Sequence, residues 1–193
     1  MPSSPKVQKE AILKTALEML IRDGYASINI KTVAQELGCS TQPISRQFGS
    51  MEGFRKALLG YCIEHLNSFF TLEGTCASEI ISGIAKGYIR LAFDYPNLYK
   101  YLYMSEHEGE RMSTIASALR SDSYERLVIM LEKEYEMPAE YAKEYMNHLN
   151  VYVHGIASYV AVGYVEASKQ EILDRVQSVG EALLKNWREM RVS

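Results

Sequence analysis

The 193-residue chain has no apolar run near the roughly 20 residues that span a bilayer. Its opening MPSSPKVQKE lacks the apolar stretch of a signal peptide. A cytoplasmic protein with no membrane partner is therefore expected. Cysteine is scarce: Cys39, Cys62 and Cys76 are odd in number, well separated and in no metal-ligand spacing, so buried reduced thiols are expected. The sequence also lacks a Gly-rich phosphate loop, a nucleophile motif and any paired His or Cys at ligand spacing. Neither an enzyme nor a cofactor is expected from such a chain. Glu106-His107-Glu108 has the look of a metal-binding run, but nothing nearby completes a ligand set. It reads as a solvated charged loop, and no metal is expected. No strand pattern and no repeat survives a pass along the chain.

Helical periodicity is present instead. Ile12, Leu13, Ala16, Leu17, Leu20 and Ile21 make one apolar face of a helix over 9–23, ended by Gly24, with Tyr25 expected beneath the next helix. Residues 29–48, NIKTVAQELGCSTQPISRQF, follow as two short helices with a tight turn. Asn29 stands at an N-cap, and Ile30, Val33, Ala34 and Leu37 share a face. Gly38 stops the first helix, Ser40 is expected to cap the second, and Pro43 sits in its first turn. Ile44 and Phe48 face inward. Thr41, Gln42, Ser45, Arg46 and Gln47 are left to project outward, a surface with hydrogen-bonding groups and a cation but no carboxylate. That is the chemistry of a helix entering the major groove.

Charge is distributed accordingly. The net charge is −3, yet residues 1–60 carry eight Lys or Arg and five acids, giving +3, and the remainder is −6. A basic head on an acidic body suits DNA, because screening confines the relevant field to about 10 Å.

Residues 9–59 resemble the DNA-binding domain of the tetracycline-repressor (TetR) family of bacterial one-component regulators. The likeness is carried by the first helix ending in LIRDGY, the VAQELGCS core and the ISRQFGSMEGF run. Three departures fall at positions read as exposed. Ser45 stands where the family often has a phosphate-contacting tyrosine, Met51 where a lysine is common, and Gln47 where histidine is frequent. The resemblance implies an all-α fold of about nine helices, with a three-helix head over 1–50 and a ligand-binding, dimerising domain over 51–193. The implied partners are an operator in double-stranded DNA, a second copy of the chain and a small-molecule effector.

Within that reading Gln42 is the base reader. Arg46 reads guanine or holds a phosphate, and Lys31, Thr32, Thr41, Ser45 and Gln47 position the DNA backbone. Lys6 and Lys9 are further candidates to brush phosphates. After 51, periodicity predicts a long helix to about Leu72, then helices over 77–94 and 97–104, a polar loop over 105–111, and helices from 112 or 121 to 136, over 139–167 and over 168–191. The tyrosine-rich set Tyr88, Phe93, Tyr99, Tyr103, Tyr124, Tyr152, His154 and Tyr159 is the candidate effector lining. Small residues in HGIASYVAVG and the stripe Ile172, Val176, Val179, Leu183 and Trp187 predict a dimer face formed by the last two helices. Gly155, Tyr159 and Gly163 belong to that face. The expected function is a repressor released from its operator by a small molecule. The alternative is a dimeric DNA-binding protein that answers to no effector.

Overall fold

The structure, a computed structural model, describes residues 8–70, 73–105 and 121–192. Among them the chain is all-helical. The elements are α1 (Lys9–Asp23), a 3-10 turn (Tyr25–Ser27), α2 (Ile30–Glu36), α3 (Gln42–Phe48), α4 (Met51–Leu66), a second 3-10 turn (Asn67–Phe69), α5 (Ala77–Asp94), α6 (Pro96–Met104), α7 (Ser121–Tyr135), α8 (Ala139–Ala161) and α9 (Lys169–Val192). The predicted loop after 105, the candidate helix start at 112, Leu72 and Lys6 lie outside the described residues. The chain forms two compact units. One comprises Met1–Leu66 with Asn97–Ser105, the other Asn67–Pro96 with Glu106–Ser193. No helix of the described residues is long and apolar enough to cross a membrane.

In the first unit α1 packs against α2, α3 and α4. Its predicted face is the core: Ile12, Ala16 and Leu20 are fully enclosed, together with Val33, Ile44, Phe54 and Leu58. Each large aliphatic or aromatic side chain so enclosed contributes about 1.5–3 kcal/mol. That is what holds α2 and α3, since helices of seven residues are marginal by themselves. The start of α2 is fixed by a capping box: Asn29 Oδ1 accepts from the Lys31 and Thr32 N–H groups at 3.0 Å, and Thr32 Oγ1 accepts from Asn29 N–H at 3.1 Å. Its end is a Schellman motif, with Gly38 N–H donating to the Gln35 carbonyl at 3.1 Å and Cys39 N–H to that of Ala34 at 2.9 Å. Gly38 sits at φ +65°, a region costly to residues with a Cβ.

Two local expectations are corrected here. Ser40 does not cap α3. The helix starts at Gln42 with Thr41 at the cap position, already at helical angles (φ −69°, ψ −17°), and no side chain caps it. A capping side chain needs an extended residue at that point. Tyr25, expected beneath α2, lies instead with its ring 4.8 Å from that of Tyr101 on α6. The same corner is tied by Asn97, whose Nδ2 donates to the Ile21 carbonyl of α1 at 3.1 Å.

In the second unit α5 packs on α8 and α9, α8 packs on α9, and α7 packs on both α5 and α8. The N-terminus of α5 is capped from a distance: Ala77 N–H donates to Glu134 Oε2 of α7 at 2.7 Å. The ammonium of Lys169 reaches both oxygens of Asp94 at 2.8 Å, joining the start of α9 to the end of α5. Such exposed pairs contribute little, about 0–1 kcal/mol.

Two predicted helices end early. α4 stops at Leu66 and tightens into the Asn67–Phe69 turn. α8 stops at Ala161, six residues short of expectation, because Gly163 adopts φ +78° and closes another Schellman motif. Gly163 N–H donates to the Val160 carbonyl at 3.0 Å and Tyr164 N–H to that of Tyr159 at 2.9 Å.

α3 and α4 approach so closely that a Cβ on Gly53 would lie 2.2 Å from the Phe48 carbonyl oxygen. Gly53→Ala must therefore push two backbones apart. We expect it to destabilise the first unit by about 1–3 kcal/mol in spite of alanine's better helix propensity. Urea unfolding followed by circular dichroism measures this, and unchanged stability would contradict the close approach.

Candidate nucleic-acid interface and ligand clefts

α3 turns Ile44 into the core and rests Phe48 edge-on against Phe54, ring centroids 5.2 Å apart. With that side buried, Thr41, Gln42, Ser45 and Arg46 are exposed, as the sequence predicts, and so is Lys31 on α2. Gln47 and Met51, read as exposed, are half-buried. Thr32 is also half-buried, and its hydroxyl is committed to the fold. Besides accepting from Asn29, it donates to the Ser27 carbonyl at 2.7 Å and the Asn29 carbonyl at 3.0 Å. Little is left of Thr32 for a phosphate.

Charge in this unit sorts itself by pairing. Arg22 bonds Asp23 at 2.8 Å and Glu36 at 2.9 Å, and both carboxylates hold its guanidinium firmly in the charged form. This ties the end of α1 to α2 and takes two of the five acids out of the field. The remaining basic residues of 1–60 then outnumber the remaining acids by seven to three. Among them, Lys9 is held beside the recognition segment, its Nζ 5.6 Å from the Phe48 ring centroid. The sequence suggested Lys9 only from its nearness to the N-terminus. Its placement against the last residue of α3 needed the fold.

The tyrosine set of the sequence is divided between the two units. Tyr99 and Tyr103 belong to the first unit, their rings 5.1 Å apart, and Tyr99 is fully buried. Tyr88, Phe93, Tyr124, Tyr152, His154 and Tyr159 belong to the second. Tyr88 is buried and its hydroxyl shares a 2.5 Å hydrogen bond with His154 Nδ1, joining α5 to α8. Tyr124 packs on the core formed by Ala77, Val128, Leu131, Met137 and Ala142. Phe93 lies under the ammonium of Lys169, 5.8 Å from the ring centroid.

Two clefts of the second unit lie elsewhere, and none of these eight residues lines either one. The larger, about 930 Å³, runs between α5 and α9 over Tyr145 and Leu149 of α8. The smaller, about 320 Å³, lies between α8 and α9 and is lined by Tyr141, His148, Trp187 and Met190 among others.

The residues assigned to a dimer face also divide. Ile172 and Val176 are enclosed within the chain's own core, so they are not available to a second copy. Their stripe spacing signals packing, but not against which helix. Val179 and Leu183 are half-buried. Trp187 Nε1 donates to the Tyr135 carbonyl at 3.4 Å, and its ring lies 4.5 Å from that of Tyr141. Gly163 ends α8 rather than giving it a flat side. What remains outward is a row on α8 that the sequence reading had only in part. Val151 is 63% exposed and Tyr159 56%, Val162 continues the row, and a Cβ on Gly155 would meet nothing within 4 Å. The 4-4-3 spacing puts all four on one side of the helix.

A unit in which α1 braces two seven-residue helices, the second with one side enclosed and the other lined by Gln42, Ser45 and Arg46, is a helix-turn-helix DNA-binding domain. Residues 12–58 match the family model of bacterial regulatory proteins, tetR family. The match runs from α1 into α4; this segment is similar to the DNA-binding domain of that family, and it indicates a DNA-binding transcriptional regulator. No curated protein matches the chain.

His154 offers a check on the second unit. Partial burial holds its imidazole below the ordinary value of 6.5. The unfolded chain therefore takes up this proton more readily than the folded one. The stability associated with neutral His154 is full above pH 6.5 and is lost as pH falls through that value toward the folded one. We expect His154→Gln to flatten the decline in melting temperature between pH 7 and pH 5. An equal decline in the variant would remove His154 as its source.

Proposed function

We propose that the protein is a homodimeric, ligand-responsive repressor of the cytoplasm, released from an operator in double-stranded DNA by a small molecule. The observation that carries this reading is the exposed polar side of α3, in a segment that matches the tetR family, with no carboxylate on that side. The work divides at about residue 50: residues 1–50 touch DNA, and 51–193 bind the effector and dimerise. α4 shares its unit with the head and begins the chain's passage into the remainder.

Gln42 reads an adenine edge through its side-chain amide, a contact worth about 1–3 kcal/mol of discrimination. Arg46 reads guanine or grips a phosphate. Lys31, Thr41 and Ser45 position the backbone, as does Lys9 from the flank. Two copies place their α3 helices in successive major grooves about 34 Å apart. The effector works only through its different affinity for the DNA-competent and DNA-incompetent arrangements of the two heads. A cleft of about 930 Å³ in the second unit is of the size that small-molecule sites have, and it favours this reading over an effector-independent dimer.

Mobility shift on the DNA upstream of the protein's own gene tests the interface. We expect Gln42→Ala to lose roughly five- to hundred-fold in affinity for the preferred site and to relax its sequence choice, which follows from about 1–3 kcal/mol. Arg46→Ala should weaken binding and reduce its salt dependence. Full binding by both variants would remove the assigned side of α3.

The outward row on α8 tests the dimer. Tyr159→Glu sets a charge among Val151, Gly155 and Val162, and should give a monomer in analytical ultracentrifugation with operator binding lost at dilute concentration. Its melting should hold within about 0.5 kcal/mol, as for other surface substitutions. A dimer that persists in Tyr159→Glu would move the contact off this row.

A further inference from the structure

The larger cleft has a chemistry of its own. Its lower wall is apolar: Ile81 and Ala85 from α5, Leu149 from α8, and Val176 and Leu184 from α9. Tyr145 also lines it, and the hydroxyl has no hydrogen-bond partner among the described residues. Burial pushes this phenol up to about 12, so it is a neutral donor at any physiological pH. Gly180 lies opposite, in the middle of α9, where a Cβ would come within 3.3 Å of the Tyr145 hydroxyl. Glycine in mid-helix is unfavourable. Here it leaves room above a polar atom that would otherwise be covered.

The rim has an unequal charge. Asp174 and Glu181 hold only neutral glutamine partners, Gln170 and Gln177, each at 2.8 Å. Arg188 lies over the Tyr135 ring, 5.7 Å from its centroid, and Glu79 is held by Thr75 at 2.8 Å. Lys86 and Arg188 are the cations of the rim, and neither has an ion-pair partner among the described residues, against the four carboxylates of Glu73, Glu79, Asp174 and Glu181. Four carboxylates against two cations, set above an apolar wall, complement a ligand that is apolar in body and positive in charge.

We propose that this α5–α9 cleft is a binding site for an amphipathic organic cation, its apolar body on Leu149, Val176 and Leu184 and its charge near Asp174 and Glu181. The proposal rests on the effector-responsive reading only for its biological meaning. The binding itself needs no DNA and is tested without it.

Isothermal titration of the full chain should use three probes of related shape: tetraphenylphosphonium, its anionic counterpart tetraphenylborate, and neutral triphenylphosphine oxide. We expect one phosphonium per chain, bound at least ten-fold more tightly than the borate. Asp174→Asn with Glu181→Gln should weaken the phosphonium at least five-fold and leave the neutral probe unchanged. Gly180→Ala adds a helix-favouring residue, so it should fold and melt no lower than the parent, while weakening phosphonium and neutral probe alike at least three-fold.

Equal or tighter binding of the borate, no binding of any probe, or indifference to all of these substitutions would overturn the proposal. A change of oligomeric state in Gly180→Ala with unaltered probe binding would overturn it too, since the cleft would then belong to a second copy. A mobility shift with the same phosphonium reads the regulator separately: saturating probe without effect on operator affinity counts against release by this ligand and not against its binding site.

Discussion

The DNA-facing surface depends on one close approach, that of the Phe48 carbonyl to α4 at Gly53. α3 has seven residues and no side-chain cap, so nothing internal to it fixes its orientation. Its angle is set from outside. Ile44 is enclosed between neighbours, Phe48 leans on Phe54, and the backbone meets α4 where a side chain would not fit. Because these constraints all act on one side of α3, they also decide which residues are left on the other. Gln42, Ser45 and Arg46 are presented to solvent as a consequence of packing.

The turn that precedes α3 follows the same logic at smaller scale. The Asn29–Thr32 box starts α2 and the Gly38 Schellman motif ends it, so a seven-residue helix has both termini satisfied. This explains why Thr32, a plausible phosphate contact by sequence, is absorbed into structure. A hydroxyl already making three hydrogen bonds has little left for a ligand. Arg22 is the electrostatic counterpart: its pairs with Asp23 and Glu36 fasten α1 to α2, and the field of the head is left to other cations.

Features set by local rules were legible in the sequence. The bounds of α1 and α5 follow from periodicity with a glycine or a break at the ends, the Asn29 cap from its side chain, and the outward Thr41, Gln42, Ser45 and Arg46, though not Gln47, from the packing of Ile44 and Phe48. What failed depended on partners distant in the chain or on backbone angles. Ser40 looks like a cap, but no side chain caps α3. Gly163 looks like a small residue for close packing, but its left-handed angle makes it a stop. Ile172 and Val176 carry a correct packing signal that cannot say whether the partner helix is in the same chain. The tyrosine set shows a related limit of pattern: aromatic periodicity marks burial, and burial does not distinguish a core from the lining of a cleft. The larger cleft is marked by Gly180 opposite Tyr145, thirty-five positions apart, a pairing no local pattern displays.

The chain's path constrains how an effector signal can travel. Residues 97–105 rejoin the first unit after α5, so the chain crosses between units at 66–67, 96–97 and 105–106 rather than once. A single crossing would let a head swing freely about one hinge. Three crossings, with Asn97 bonded to the end of α1 and Tyr101 against Tyr25, bind the motion of α6 to that of α1. Under the proposed function, any ligand-dependent shift in α5 then reaches the head by two covalent routes, through α4 and through α6. α4 packs on α1 and α6 is bonded to its end, and α1 is the helix on which α2 and α3 both rest. The head's own core is closed by Ile12, Leu20, Val33 and Ile44 and resists internal shear, so the proposed response is a reorientation of the head as a body. Reorientation of a rigid head changes the spacing of two recognition helices while leaving each helix intact, which is the kind of change that abolishes simultaneous fit to two grooves without destroying the contact made in either.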